Sequence, residues 1–197
     1  MVTNCEDRLR FIIDEAWNIL FNRIVSGRQK INKEASLQLQ LARIINELGN
    51  TYCLLPDEVF NLELESNHQQ MNIDITCSLG TATAAVELKC FIKSSNRAKD
   101  LDMYDALKDI ERLHRLEQFK VKTFICLTDN PYYPNFIQRG MASSVTLRNG
   151  TRYLANMPIT PAWTGKWNVK RDSPILFLQD VECNWKSVGS WHYMKVD

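Results

Sequence analysis

Two adjacent segments of the chain alternate apolar with polar residues, and their polar positions carry an aspartate, a glutamate and a lysine. Asp74 lies in the first segment, and Glu87 and Lys89 lie in the second. Alternation with a period of two is typical of β-strands that bury one face, so the three side chains share the polar face of a predicted hairpin. Carboxylates are ligands that magnesium prefers, and an ammonium group stabilises negative charge that develops on a phosphate. These residue types are suited to metal-assisted hydrolysis of a phosphodiester.

The turn between the two segments determines how the carboxylates meet. If Gly80-Thr81 is a two-residue type II′ turn, Leu79 pairs with Ala82. Counting back along both strands, Asp74 then lies directly opposite Glu87, with the Cβ atoms about 5 Å apart. Two carboxylates this close repel each other unless something neutralises them, and a divalent cation is the expected neutraliser.

The surrounding sequence predicts the elements that hold this face in place. Apolar residues at spacings of three and four predict helices over residues 6–25, 32–48 and about 102–119, with Asn32 as the N-cap of the second helix and Gly49 as its left-handed terminator. Alternation and apolar runs predict strands around residues 60–64, 71–77, 82–90 and 121–127. The last strand is entered through a helix, so it is expected to lie parallel to a strand of the meander. The fold class is therefore α/β (α+β), with a mixed sheet flanked by helices.

The C-terminal third is expected to be a β-rich extension. Its signals predict a hairpin over residues 144–154 with Asn149-Gly150 at the tip, a long loop over 156–174, and closing strands at 175–178 and 191–196. The length of 197 residues suits a single domain. Its expected parts are an N-terminal helix (1–27), a catalytic core (32–128) and this extension (129–197).

The pattern Asn-Ile-Asp74-Ile, followed by Val-Glu87-Leu-Lys89, resembles the PD-(D/E)XK nuclease superfamily over about Asn32 to Thr128. The resemblance implies a restriction-endonuclease-like core of helix-strand-strand-strand-helix-strand. It also implies that Asp74 and Glu87 hold Mg²⁺, with Mn²⁺ as a substitute, and that Lys89 orients or activates the attacking water. Ile73 stands where the family often has proline. The Pro-Asp pair that ends in Asp57 precedes the first strand, so Asp57 is rejected as a ligand.

Many members of this superfamily carry a further glutamate on the first core helix, and Glu34 fits that description. It lies three residues before Leu37 on the apolar stripe of the predicted helix. The resemblance implies that Glu34 is a third catalytic and metal-binding carboxylate, and Gln38, one turn further on, could hydrogen-bond it. The alternative is that Glu34 is a first-turn acid favoured by the helix dipole.

A second surface is expected to bind nucleic acid. Residues 130–171 contain no aspartate or glutamate but several basic and aromatic residues, which suits contact with a phosphate backbone. The candidate contacts in this stretch and in the loop after the third strand are Lys93, Arg97, Lys99, Arg148, Arg152, Lys166, Lys170 and Arg171. The alternative is that the aromatics pack an irregular lobe and the charges are ordinary surface.

Composition bounds the class of protein. The hydrophobic fraction of 45% and the net charge of +1 are typical of a globular chain and exclude a wholly basic coat protein. The sequence has no apolar run long enough to span a membrane. Its six cysteines are dispersed without metal-ligand spacing, which predicts reduced thiols and a cytoplasmic location.

The resemblance therefore implies an endonuclease that cleaves DNA with a magnesium-activated water, such as a restriction or other defence nuclease. Two alternatives stay open: a catalytically inactive nuclease-fold module that binds or scaffolds, and an RNA-processing nuclease. Cutting both strands of a duplex needs two active sites, so a homodimer or a partner nuclease or specificity subunit is expected.

Overall fold

The computed structural model describes residues 4–68, 71–95, 98–135, 144–161, 171 and 173–197. The helices are α1 (Cys5–Val25), α2 (Glu34–Thr51), α3 (Lys99–His114) and α4 (Tyr132–Asn135). The strands are β1 (Phe60–His68), β2 (Met71–Leu79), β3 (Ala82–Phe91), β4 (Val121–Thr128), β5 (Arg152–Tyr153), β6 (Val181–Glu182), β7 (Trp185–Val188) and β8 (Trp191–Val196). The chain divides into two compact units, residues 1–88 with 117–123 and 197, and residues 89–116 with 124–196.

Six strands form one mixed sheet in the order β1-β2-β3-β4-β8-β7, and β5 and β6 form a separate two-stranded sheet. The predicted antiparallel meander of β1, β2 and β3 is confirmed. β4 runs in the same direction as β3, because Lys120 N donates to Thr83 O near the start of both strands and Thr128 Oγ1 donates to Phe91 O near their ends. The predicted mixed α+β architecture with flanking helices is therefore confirmed.

The first helix follows its sequence pattern closely. Asn4 caps α1 by accepting a hydrogen bond from Asp7 N at 2.7 Å, and the helix ends at Ser26-Gly27, where Gly27 has a φ of +72°. The apolar stripe of α1 is fully buried, so its period of 3.6 residues is set by the core of the first unit.

The second helix differs from its prediction at both ends. It begins at Glu34 with Lys33 as the N-cap, and Ser36 Oγ accepts hydrogen bonds from Asn32 N and Lys33 N. Gly49 lies inside α2 and does not terminate it. An ideal Cβ on Gly49 would lie 2.4 Å from ring carbons of Phe60 on β1. The glycine is therefore required by close packing of a helix on a strand, not by a left-handed backbone.

Substituting Gly49→Ala should lower the free energy of unfolding by about 1–3 kcal/mol, because the new methyl group overpacks the contact with Phe60. Intrinsic helix propensity alone predicts the opposite sign, a gain of about 1 kcal/mol. Urea denaturation measures the difference, with Asn46→Ala at an exposed position of the same helix as the control. A Gly49→Ala chain as stable as the parent would show that the Phe60 ring moves aside freely.

A buried ion pair ties α1 to the loop between α2 and β1. The Arg8 guanidinium donates to both carboxylate oxygens of Glu58 and to Tyr52 O, and Glu58 Oε2 also accepts from Leu54 N and Leu55 N. The hydrogen bonds from Arg8 hold the pKa of Glu58 at about 2, below the ordinary 4.5. The ionised carboxylate therefore stabilises the folded chain.

The contribution of Glu58 to the free energy of unfolding depends on pH. Because the pKa of Glu58 is lower in the folded chain, its contribution is fully present above pH 4.5 and is lost as the pH falls from 4.5 to about 2. Thermal unfolding should show that Glu58→Gln lowers the melting temperature at pH 7 and flattens the acid-side decline over this window. Identical declines in parent and variant would contradict the assignment.

In the second unit, the predicted hairpin over residues 144–154 is wrong. β5 pairs with β6 rather than with residues before the turn. The Tyr153 hydroxyl accepts a hydrogen bond from Thr146 N and donates one to Thr146 O, so side-chain bonds replace the main-chain pairing expected for a hairpin. The closing strand at 191–196 is confirmed as β8, which pairs with both β4 and β7. The other expected closing strand is reduced to a single bridge between Ile159 and Ile175.

The third helix begins and ends earlier than predicted, and its polar face holds a segment of chain. Four α3 side chains bond residues 173–179: Tyr104 to Ser173 O, Lys108 to Pro174 O, Glu111 to Leu176 N, and His114 to Gln179. The polar face of α3 therefore holds residues 173–179 in place.

Candidate active site

The turn that sets the register of the candidate site is confirmed. Gly80 has a φ of +56°, as the first residue of a type II′ turn requires, and Leu79 pairs with Ala82. The ladder continues in this register to the pair Ile75 and Val86. Asp74 and Glu87 are the next residues along their two strands, directly beyond the last pair of this ladder.

Asp74 is half-buried and is held at two atoms. Its carboxylate oxygen Oδ2 accepts a hydrogen bond from Leu88 N at 2.7 Å, and its main-chain oxygen accepts one from Gln38 Nε2 at 2.8 Å. The first bond crosses from β2 to β3 through a side chain and draws the carboxylate towards β3. The Asp74 carboxylate is therefore held at the main chain of β3.

Glu87 is only 4% exposed. A carboxylate buried to this degree is costly in its ionised form unless positive charge or hydrogen bonds compensate it. The sequence predicts another acid, Asp74, opposite Glu87, and a second carboxylate there would increase the need for compensation.

A third carboxylate lies on β1, at the position opposite Asp74, and the sequence patterns did not identify it. Glu65 is the residue of β1 opposite Asp74, between the pairs Leu64–Ile75 and Ser66–Ile73. Its φ is +51°, which is uncommon for a residue with a side chain. The alternation of residues 60–66 places Glu65 on the polar face, but no local signal marks its left-handed conformation.

Glu34 is the first residue of α2 and is half-buried. The expected hydrogen bond to it from Gln38 is wrong. Gln38 Nε2 donates to Glu65 Oε1 at 2.7 Å and to Asp74 O at 2.8 Å, which uses both of its N–H groups. A role for Glu34 at a metal stays a prediction.

A metal ion requires ligand side chains that lie close together. Among residues 4–68, 71–95, 98–135, 144–161, 171 and 173–197, no three histidine, cysteine, aspartate or glutamate side chains form a group that could hold a metal. Glu34, Asp74 and Glu87 are therefore not a preformed three-ligand set. Magnesium commonly uses one or two carboxylates and keeps several waters, so a site for it does not need a third carboxylate.

Lys89 lies two residues after Glu87 on β3, and its partner was not predicted. Lys89 Nζ lies 2.6 Å from Asp109 Oδ2 on α3, with side-chain exposures of 15% and 5%. Arg112 bonds the other oxygen of Asp109. The ammonium group therefore belongs to an ion-pair network with residues of α3.

The predicted nucleic-acid contacts fall into three groups. Lys93 and Arg148 are exposed. The other described candidates have partners in the chain: Lys99 Nζ lies 4.6 Å from the centre of the Tyr132 ring, Arg152 pairs with Asp180 at 2.5 Å, and Arg171 bonds both oxygens of Asp105 at 2.7 and 2.8 Å. Arg97, Lys166 and Lys170 lie outside the described residues.

The two acidic partners lie outside the acid-free stretch. Asp105 and Asp180 neutralise Arg171 and Arg152, so the local charge is lower than the sequence of residues 130–171 suggested.

Comparisons of the chain with protein-family models, with curated proteins and with solved structures find no significant match. No helix in the described ranges is long and apolar enough to cross a membrane.

Proposed function

We propose that this chain is a magnesium-dependent endonuclease with a restriction-endonuclease-like core. The observation that carries the proposal is the β2–β3 register, which ends at the pair Ile75 and Val86 and which, continued by one pair, would set Asp74 opposite Glu87. The adjacent parallel strand β4, reached through α3, fits the helix-strand-strand-strand-helix-strand order of such a core.

In this proposal Asp74 and Glu87 hold the cation, and Lys89 acts at the attacking water. Magnesium, when bound, supplies positive charge that lowers the pKa of water and offsets charge on the phosphate. Water oxygen bonds to phosphorus and releases one proton to solvent as the P–O3′ bond breaks, and the departing 3′ oxygen takes up a proton from solvent. Lys89 Nζ donates hydrogen bonds and so stabilises charge that develops during this exchange. The products are a 5′-phosphate and a 3′-hydroxyl.

The contact between Lys89 and Asp109 favours a second candidate, a nuclease-like module that binds without cutting. A lysine that neutralises an aspartate with 5% side-chain exposure has a sufficient structural reason to be present. The two candidates differ in whether magnesium binds at Asp74 and Glu87.

Incubation of the chain with supercoiled plasmid, linear duplex and RNA, with and without Mg²⁺, tests the proposal. Metal-dependent cleavage of DNA that EDTA stops is the expected result, and Mn²⁺ should substitute. Cleavage confined to RNA would assign the same chemistry to RNA processing. Binding of DNA without cleavage under any metal would favour the non-cutting module.

Cutting of both strands further predicts two active sites in the working assembly, from a homodimer or a partner subunit. Light scattering of the chain with a duplex should show two copies if the assembly is a homodimer.

The exposed and the paired arginines should contribute unequally to DNA affinity. Arg148→Ala should weaken binding at low salt and reduce the slope of log affinity against log salt by about 1, because an unshielded cation releases one counterion. Arg152→Ala should change affinity less, since Asp180 already pairs with that guanidinium. Filter binding across a salt series measures both, and equal effects of the two substitutions would contradict this ranking.

A further inference from the structure

We propose that Gln38 is a positioning residue for the candidate magnesium site. The Gln38 side chain holds Asp74 in place through a hydrogen bond to the main-chain oxygen of Asp74. This inference rests on the proposed function and adds to it a residue with no part in the Asp, Glu and Lys pattern. Gln38 is an uncharged side chain on a helix, so its effect would be to set where a ligand lies rather than to bind the metal.

Gln38 is buried on α2, with 8% of its surface exposed. Its Nε2 donates to Glu65 Oε1 at 2.7 Å and to Asp74 O at 2.8 Å. A primary amide has two N–H groups, and burial makes an unused one costly. One side chain therefore connects α2 to β1 and β2 at the row of the sheet that carries the candidate ligands.

Asp74 is fixed by this bond together with another. Gln38 holds its main-chain oxygen, and Leu88 N donates to its carboxylate at Oδ2. Loss of the first bond would allow the β2 backbone to shift, and the carboxylate would shift with it. Groups that orient a metal ligand typically change metal affinity by 10–100-fold when they are removed, roughly.

The bond to Glu65 has a second consequence at the same place. Glu65 lies opposite Asp74 in the register and has a left-handed backbone. The amide of Gln38 gives its carboxylate a hydrogen-bond donor and so holds it in one position. An acceptor at position 38 could not do this while Glu65 is ionised, so Gln38→Glu should disturb both contacts.

The test compares two variants. Gln38→Met keeps the length of the side chain and loses both N–H donors. Gln40→Met is the control, at a half-buried glutamine of the same helix. Calorimetric titration with MgCl₂ measures affinity, and hydrogen exchange of the Leu88 amide reports the position of the Asp74 carboxylate without metal. Gln38→Met should bind Mg²⁺ about 10–100-fold more weakly and exchange the Leu88 amide faster. Gln40→Met should match the parent in both measurements.

The double variant Gln38→Glu with Glu65→Gln separates positioning from stability. It reverses donor and acceptor between these two side chains but gives Asp74 O no donor from position 38. Its melting temperature should recover relative to Gln38→Glu alone, while its magnesium affinity should stay about 10–100-fold low. If Gln38→Met does not fold, this variant decides.

Each outcome bears on a distinct claim. Parental magnesium affinity in a folded Gln38→Met or double variant overturns the positioning role, and the proposed function then stands if Asp74→Asn still abolishes binding. An absence of magnesium binding in the parent chain overturns the proposed function and the positioning role together.

Discussion

Substitution of Lys89→Met should reduce metal-dependent plasmid cleavage by at least about a hundredfold, while the Asp74–Glu87 pair still binds magnesium. The methionine keeps the length of the side chain and removes the ammonium group that stabilises developing charge. Initial cleavage rates under saturating Mg²⁺ measure the loss, and calorimetry checks that the metal still binds.

The same substitution should also destabilise the fold, which complicates a simple activity comparison. Lys89 Nζ lies 2.6 Å from a carboxylate oxygen of Asp109, and removal of the lysine leaves that acid with Arg112. The expected loss is about 1–3 kcal/mol of unfolding free energy, as for a buried acceptor that loses a donor. A low cleavage rate alone would therefore not distinguish catalysis from stability.

The double variant Lys89→Met with Asp109→Asn resolves this. It removes the charge that Lys89 compensates, so most of the lost stability should return. Cleavage should stay low if Lys89 acts in the reaction. Cleavage that returns together with stability would show that Lys89 serves only the ion pair with Asp109.

Removal of either candidate ligand should have the largest effect on activity. Asp74→Asn and Glu87→Gln should each reduce cleavage by at least about a thousandfold, which corresponds to roughly 4 kcal/mol of transition-state free energy. Asparagine at position 74 retains an oxygen that can accept the hydrogen bond from Leu88 N, and glutamine matches glutamate in size. Both variants are therefore expected to fold.

The two ligands should also act as one unit. The double variant Asp74→Asn with Glu87→Gln should cleave about as poorly as either single variant, because each single change already removes the cation. Cleavage assays of all three variants measure this. Losses that add up in the double variant would mean that the two carboxylates act independently, which contradicts a shared ion.

The central hairpin was predictable because its signals are local. Gly80 gives the type II′ turn, and the turn alone sets the pairs from Leu79–Ala82 to Ile75–Val86. Strict alternation then predicts which face of the sheet Asp74 and Glu87 occupy.

The predictions that were wrong concern features that depend on contacts between residues outside the local sequence pattern. Gly49 carries the signal of a helix terminator, but the Phe60 ring occupies the space of its side chain and the helix continues. The expected hairpin around Asn149-Gly150 is replaced because the Tyr153 hydroxyl bonds both main-chain groups of Thr146. No period or turn signal in the sequence encodes either contact.

The partners of the candidate site residues were unpredictable for the same reason. Asp109 follows Lys89 by a whole loop and part of a helix, so only the folded chain brings them together. Gln38 was suggested as a hydrogen-bond partner of Glu34, one turn away on the same helix. Its side chain instead donates to Glu65 on β1, a residue with a left-handed backbone.

Calorimetric titration of the parent chain with MgCl₂, beside Asp74→Asn and Asp57→Asn, tests most directly whether Asp74 and Glu87 hold a divalent ion. Asp57 is an exposed aspartate of the loop before β1 and serves as the matched control. We expect saturable binding in the parent chain and in Asp57→Asn, and none in Asp74→Asn. Equal binding in all three proteins, or heat of dilution alone in the parent, would contradict it.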